Sequence, residues 1–524
     1  MKKTLLIVGA GLAGLSAAWT AAEQGHQAIL VSAQPSERAQ SVMAEGGINA
    51  ALDTKREGDT PQQHEADTLR AACGLANPQA VHGLTQAAPQ LVRQLDALGV
   101  QFNRTKQDDI DVRAFGGQKN KRTAFAQSDT GKQLVTAMID AVRRWEVKKS
   151  VVRLDHHVFE TLLLDGNTCG GCVVRDTYTG EHMPIQADAV IMACGGMHGL
   201  FGDTTGSVSN TGEAVAELFR LGVPLANAEM IQYHPTAVFS GPIIAVTSCL
   251  PVSLCGRRLL ISEAARGEGG RLYALRDGKP WYFMEERYPE LGNLMPRDVT
   301  AREIWRVRQQ TPVYLDMTQL SGEVFAHRLS GLREDCITYL GLDPKKQPIP
   351  VEPGIHYFMG GLRVDAQHRT RVRNLYAAGE CCAQYHGANR LGGNSLLGAI
   401  YGGKIAAQTA LAQADGSAHT CQITQAGAQT PLREQQVLHR ALLDGLGVVR
   451  TQESMERALH TVQSLSGNLA LLGQAVLRSA LARRESRGAQ FRADYPETEQ
   501  KYCAATVAHY QQGNLSITWG DVTI

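Results

Sequence analysis

An unbroken apolar strand that stops on three spaced glycines and resumes as an alanine-rich helix leaves a chain few folds to choose from. Residues 4–8, TLLIV, have the continuous apolar character of a parallel strand buried on both faces. Gly9, Gly11 and Gly14 follow at GxGxxG spacing, residues 15–24 read as a helix, and residues 27–31 read as a second strand. In that setting the spacing means dinucleotide binding. The glycines permit a tight turn, close approach of main chain to a pyrophosphate, and close packing of helix on strand. The helix N-terminus adds the positive end of its dipole. The second strand runs into Ser32, where an acidic residue often meets a ribose.

Two more strands run into glycine turns far downstream. Residues 187–193 precede Cys194-Gly195-Gly196, and residues 374–378 precede Gly379-Glu380. Their separation predicts one nucleotide-binding domain assembled from 1–228 and 351–412, with 229–350 inserted as a second domain. Residues 413–430 are small and polar and read as a linker, while apolar residues at three- and four-residue spacing over 432–490 predict a C-terminal helical domain within 431–524. The stretch 240–258, which holds Cys249 and Cys255, reads as apolar packing, with a lid or a docking surface as alternatives.

A chain of 524 residues has room for several domains and a large core. Its 52 basic and 51 acidic residues leave a net charge of +1, so no field for nucleic acid is expected. The 11 cysteines are scattered. Cys169 and Cys172 form the only CxxC, in what reads as a hairpin turn, and no second pair accompanies it, so no metal site is expected. No CxxCH haem motif and no iron–sulfur ladder is present, so any electrons would pass through an organic cofactor and come from another carrier. No apolar run approaches the roughly 20 residues of a membrane helix. The N-terminal apolar run is already used by the fold, not by a cleaved leader, so the expected compartment is the cytoplasm.

The tract HGANRLGGNSLL at 386–397 sets Arg390 beside bare backbone and small polar groups. A guanidinium so placed suits a planar carboxylate, and the glycines would let main chain pass close to a flat ring.

With GAGLAG at 9–14, MAEGGINAAL at 43–52, FGGQKNKRTAFA at 115–126, QYHPT at 232–236, SEAARGEGG at 262–270, MPRD at 295–298 and HYFMGG at 356–361, the chain resembles the flavoprotein subunit of the succinate dehydrogenase/fumarate reductase family, which includes L-aspartate oxidase. The motifs run in family order over almost the whole length. The resemblance implies an α/β fold: a Rossmann-like FAD-binding domain, an inserted α+β capping domain closing over a dicarboxylate, and the C-terminal helical domain. It implies Gly9, Gly11 and Gly14 at the pyrophosphate and Ser32 by the ribose. Ser41, Ala44, Glu45, Gly46 and Gly47 would pass the isoalloxazine, Glu380 would contact FAD, and Ser395 and Leu396 would sit at the pyrimidine edge. His234, His356 and Arg390 would bind carboxylates, with Ser262 where a Thr is usual. Arg297 would give the proton that accompanies hydride transfer from flavin N5, with Glu263 and Arg266 as its relay. It also implies an iron–sulfur partner subunit and only indirect membrane attachment.

Where the family often carries a His that bonds FAD covalently, this chain has Gln40, so FAD is expected to be non-covalent. That absence, and Glu45 where succinate dehydrogenases often have Gln, lean toward fumarate reduction. The residue before the paired glycines is Phe115, where aspartate oxidases place a Glu for the substrate's ammonium. An apolar ring offers an amine no charge partner, which favours an unsubstituted C4 dicarboxylate.

Overall fold

The structure is a computed structural model that describes residues 2–239, 258–414 and 421–521. Of the apolar stretch 240–258, all but Arg258 lies outside the described residues.

The strand Thr4–Val8 is central in a five-stranded parallel sheet whose order is Leu375–Ala377, Ala189–Met192, Thr4–Val8, Gln27–Ser32, Val151–Asp155. Its unbroken apolar run has a direct cause. Leu5 and Ile7 enter one hydrophobic core while Leu6 and Val8 enter another on the opposite face. Val8 pairs with both Val31 and Met192, so the carboxyl ends of these strands finish level. In an open α/β sheet that edge is where ligands bind.

The first helix is Leu12–Glu23, beginning three residues before the expected start because Gly11 already serves as its N-cap. A Cβ on Gly9 would lie 2.1 Å from the Ala193 carbonyl oxygen, and one on Gly14 would lie 1.8 Å from the Gly9 carbonyl oxygen. Gly14 therefore serves the packing of helix on turn.

Described residues between 238 and 351 supply nearly all of a separate hydrophobic core, to which Phe115 is the one outside contributor among the described residues. Around it lie the antiparallel strands Ile231–Phe239 and Arg258–Leu260, a four-stranded sheet, and the helix Arg297–Arg308. Ile231–Phe239 also pairs with Glu352–Phe358, so a shared sheet crosses the expected boundary at 350/351.

Helices Leu432–Gly445, Gln452–Gln463 and Asn468–Ala482 follow the helical spacing, which then stops short of 490. The next residues carry buried charge. Arg483 bridges Glu229 at 2.8 Å and Glu485 at 2.9 Å, tying this region to residue 229. The chain finishes in a hairpin, Ala505–Gln511 and Asn514–Gly520, whose first strand pairs with Leu225–Ala226. The helical character expected over 431–524 thus gives way at its end to strands shared with a sheet of the N-terminal part. Cys169 and Cys172 are buried and free within the strand Thr168–Asp176, not in its turn. In the expected linker, Gln422–Ile423 adds an edge strand to His157–Asp165. Among the described residues no helix is long and apolar enough to cross a membrane.

Candidate active site

A cavity of about 950 Å³ opens along the carboxyl ends of the parallel sheet, within the usual range for cofactor pockets of ~300–1,000 Å³. The residues expected at the site line it except Gly14, which serves packing, Gly392, and Arg266, which lies behind Glu263.

At the sheet end the wall is Gly9, Gly11, Ser32, Ser41 and the first turn of Leu12–Glu23. That turn has no side-chain cap and no acidic residue, so its N–H groups suit a pyrophosphate. A second helix, Asn394–Gln413, also starts uncapped at the cavity, on Gly393 with φ +85°, and sets Ser395 and Leu396 into the wall. Ser32 donates to the Gln34 carbonyl at 2.7 Å and meets Asp155 at 3.2 Å. Glu380 accepts the Phe358 N–H at 3.1 Å. Ala44 is anchored through its carbonyl to the Gly131 N–H at 2.8 Å. The cradle of bare backbone and open helix ends fits FAD.

Glu45 has one carboxyl oxygen buried without a partner among the described residues. Burial, reinforced by nearby Asp335, pushes its pKa up to about 8 even with Arg113 opposing. Gln40 lines the cavity, and its side-chain oxygen accepts the Ser207 N–H.

The far end is cationic. Arg297 opens the helix Arg297–Arg308 and donates to Glu263 Oε2 from Nε at 2.8 Å and from Nη2 at 2.6 Å. The other Glu263 oxygen accepts the Gly116 N–H at 3.0 Å and lies 3.2 Å from Arg266 Nη2. Burial pushes the Glu263 carboxyl up, but Arg297 and Arg266 outweigh it and hold it below its ordinary range. Burial lowers Arg266 in turn.

His234 and His356 meet edge to face, ring centroids 5.0 Å apart. Burial first, then neighbouring cationic and imidazole groups, lowers both well below the usual range, so both are neutral. His356 Nδ1 contacts the Thr205 hydroxyl at 2.9 Å, and His234 Nδ1 lies 3.3 Å from both the N and O of Thr236. Both histidines line the cavity. Arg390 is 3% exposed, and its guanidinium has no hydrogen-bond or ionic partner among the described residues. Burial and the nearby Arg297 lower its pKa to about 9.

The glycines of the 386–397 tract were expected to pass a flat ring. Gly393 lines the cavity and Gly392 does not: a Cβ on Gly392 would lie 2.7 Å from Glu263 Oε2 and 2.8 Å from Phe115 Cδ2, and one on Gly393 would lie 2.1 Å from Asn49 Oδ1. Phe115 itself is buried against Gly46, whose Cβ would lie 2.7 Å from its Cζ.

Sequence reasoning missed Gln232, although QYHPT begins with it. Its side-chain oxygen accepts from Arg297 Nη1 at 3.1 Å, and its Nε2 donates to the Arg390 carbonyl at 2.8 Å and to Asn389 at 2.9 Å. It also missed Asn49 and Gln118, which donate to the Gly392 carbonyl at 2.7 and 3.1 Å.

Comparison with known proteins matches an FAD binding domain family over residues 4–396 and a fumarate reductase flavoprotein C-terminal family over 466–524. The chain is 37% identical to the succinate dehydrogenase flavoprotein subunit of Bacillus subtilis, over 97% of this chain and 94% of that one. It is 32% identical to L-aspartate oxidase of Streptomyces coelicolor, over 94% of this chain and 89% of the relative. A mutated chain of E. coli quinol fumarate reductase superposes with a TM-score of 0.86 at 27% identity, covering 100% of this chain and 97% of that one. The chain belongs to the succinate dehydrogenase/fumarate reductase flavoprotein family, and is an FAD-dependent oxidoreductase.

Proposed function

We propose that this chain is the flavoprotein subunit of a fumarate reductase, reducing fumarate to succinate. The observation that carries the reading is the uncompensated cation at the cavity end. Arg390 has no acidic partner among the described residues, and it shares the space with Arg297 and two neutral imidazoles. A dianion removed from water needs such donors at every carboxylate oxygen.

Bound FAD supplies the two-electron chemistry, held by the helix ends at Gly11 and Gly393 and by the walls from Ser41 to Gly47. Arg390, His234, His356 and Ser262 bind and orient the two carboxylates. Arg297 holds the proton for the reduced carbon. An arginine is a poor acid in water, with a pKa above about 12; in a dry pocket it serves when the acceptor is a strongly basic carbon. Glu263, gripped by Arg297 and Arg266, returns the proton from the Arg266 side. Phe115 closes the pocket with an apolar ring where an ammonium would need a carboxylate, which weighs against aspartate. Gln40 has no nucleophilic nitrogen to bond a flavin, so FAD is held non-covalently, and this together with Glu45 favours reduction.

The electron source is a separate iron–sulfur subunit, in keeping with the subunit names of the relatives, and any membrane contact is made through partners. Succinate oxidation by the same residues is the second reading, favoured by the 37% identity to the Bacillus enzyme. Steady-state rates with artificial carriers decide between them. Fumarate-dependent oxidation of reduced viologen should exceed succinate-dependent dye reduction, and aspartate should give no peroxide. Faster succinate oxidation selects the second reading, and aspartate turnover overturns both.

A further inference from the structure

Arg390 raises a question that its role as a clamp leaves unanswered: what holds a buried guanidinium that has no acid to pair with among the described residues? Its backbone carbonyl is fixed by Gln232, but its side chain rests on a ring. The Arg390 Cζ lies 4.4 Å from the centroid of Tyr357. Tyr357 is 8% exposed, on the strand Glu352–Phe358 directly after His356, and lines the same cavity. Its own ring is braced edge-on by His386 at 5.3 Å. The other charged groups acting on Arg390 are Arg297, Glu380 and Glu263, and none of them is in ionic contact with it.

Resting on the functional reading above, we propose that Tyr357 is the positioning residue of the substrate clamp, acting through a cation–π contact with Arg390. A carboxylate in its place would orient Arg390 equally well, but it would neutralise the charge the substrate needs and repel an incoming dianion. A ring face attracts the guanidinium through its quadrupole without cancelling its charge. It also occupies one side of the guanidinium, so that the in-plane N–H donors are left for a carboxylate. The hydroxyl has no part in this, and no hydrogen bond joins it to any described residue.

The test compares Tyr357→Phe with Tyr357→Leu in the FAD-loaded protein, reading KM and kcat for fumarate, the Kd for malonate from perturbation of the flavin spectrum, and flavin content. The expected result is a KM and Kd within about twofold of wild type for Phe, and both raised about thirtyfold for Leu, which corresponds to about 2 kcal/mol, with kcat changing much less. A merely structural role would lower flavin content in both variants without this split. Wild-type KM in Tyr357→Leu overturns the inference. So does a Tyr357→Phe variant that loses affinity, a result that stands even where the Leu variant fails to load FAD. A wild-type protein that neither binds malonate nor reduces fumarate removes the functional reading, and this inference with it.

Discussion

Arg297 directs two donors, Nε at 2.8 Å and Nη2 at 2.6 Å, onto one and the same oxygen of Glu263. The second oxygen is thereby left for Arg266 and the Gly116 N–H. A single carboxylate thus balances two buried guanidinium groups. Glu263→Gln keeps the shape and removes the charge. kcat is expected to fall by about 10²–10⁴, with a much smaller change in KM. Stability should drop by about 3–5 kcal/mol, because two buried cations lose their counter-charge. Steady-state kinetics and thermal melts of the FAD-loaded variant check both.

Gly392→Ala tests the same pair from behind. The added methyl would meet Glu263 Oε2 at 2.7 Å and Phe115 Cδ2 at 2.8 Å, with Arg297 Nη2 at 3.3 Å. Any shift of these groups disturbs the Glu263–Arg297 contact or the Phe115 ring. We expect a loss of about 1–3 kcal/mol from overpacking and at least a tenfold fall in kcat, read in the same assays. Unaltered kcat would mean that the carboxylate yields without consequence for the chemistry.

Three of the five strands of the parallel sheet were legible in the sequence because they announce themselves the same way, whereas Val151–Asp155 carries no such signal. Thr4–Val8, Ala189–Met192 and Leu375–Ala377 are all short apolar runs feeding glycines, and all lie in one sheet. The convergence of residues as distant as Gly11, Glu263 and Arg390 on one cavity was legible only through the order of family motifs, since no periodicity links them. Other features had no local signal. The hairpin Ala505–Gly520 pairs with a two-residue strand at Leu225, a long-range contact that composition does not encode. The end of the helical region at Ala482 follows from the ion pairs of Arg483, which meets Glu229 across the fold and Glu485 close by. The roles of Gly392 and Gly14 depend on which atoms lie opposite, and only three-dimensional structure gives that.

Acid should destabilise the protein early. Burial lowers His64 to about 3 and His368 to about 4, and depresses His234, His356 and His386 as well. A His whose folded pKa lies below its unfolded value of about 6.5 contributes stability that is complete above that pH. The contribution is lost as pH falls from there toward the folded value, at up to about 1.4 kcal/mol per pH unit for each group. Glu45, raised to about 8, Glu213, raised to about 7, and the raised Asp298 and Asp335 oppose this, but the lowered imidazoles, which include His26, His439 and His509, outnumber them among the described residues. Denaturant unfolding at pH 7.0 and 5.5 should therefore show lower stability at 5.5. Equal stability would mean that these imidazoles are solvated.

FAD held without a covalent bond leaves when the fold is destroyed. Acid precipitation should release all the flavin to the supernatant. Adding FAD to flavin-free protein should raise its melting temperature in step with ligand concentration, by about 2.7 kcal/mol of stability at one hundred times Kd. Flavin retained in the precipitate would show a bond that Gln40 cannot supply.

The central claim is that Arg297 delivers the proton to a dicarboxylate held by Arg390. Arg297→Lys keeps a positive charge but cannot fork onto Glu263 while also reaching Gln232, as the guanidinium does. The decisive measurement is the rate of fumarate-dependent oxidation of reduced viologen by the fully FAD-loaded wild type and Arg297→Lys. The account predicts turnover by the wild type and a fall of at least about a hundredfold in kcat for the variant, at equal flavin content and similar KM. An unchanged rate in Arg297→Lys would contradict it.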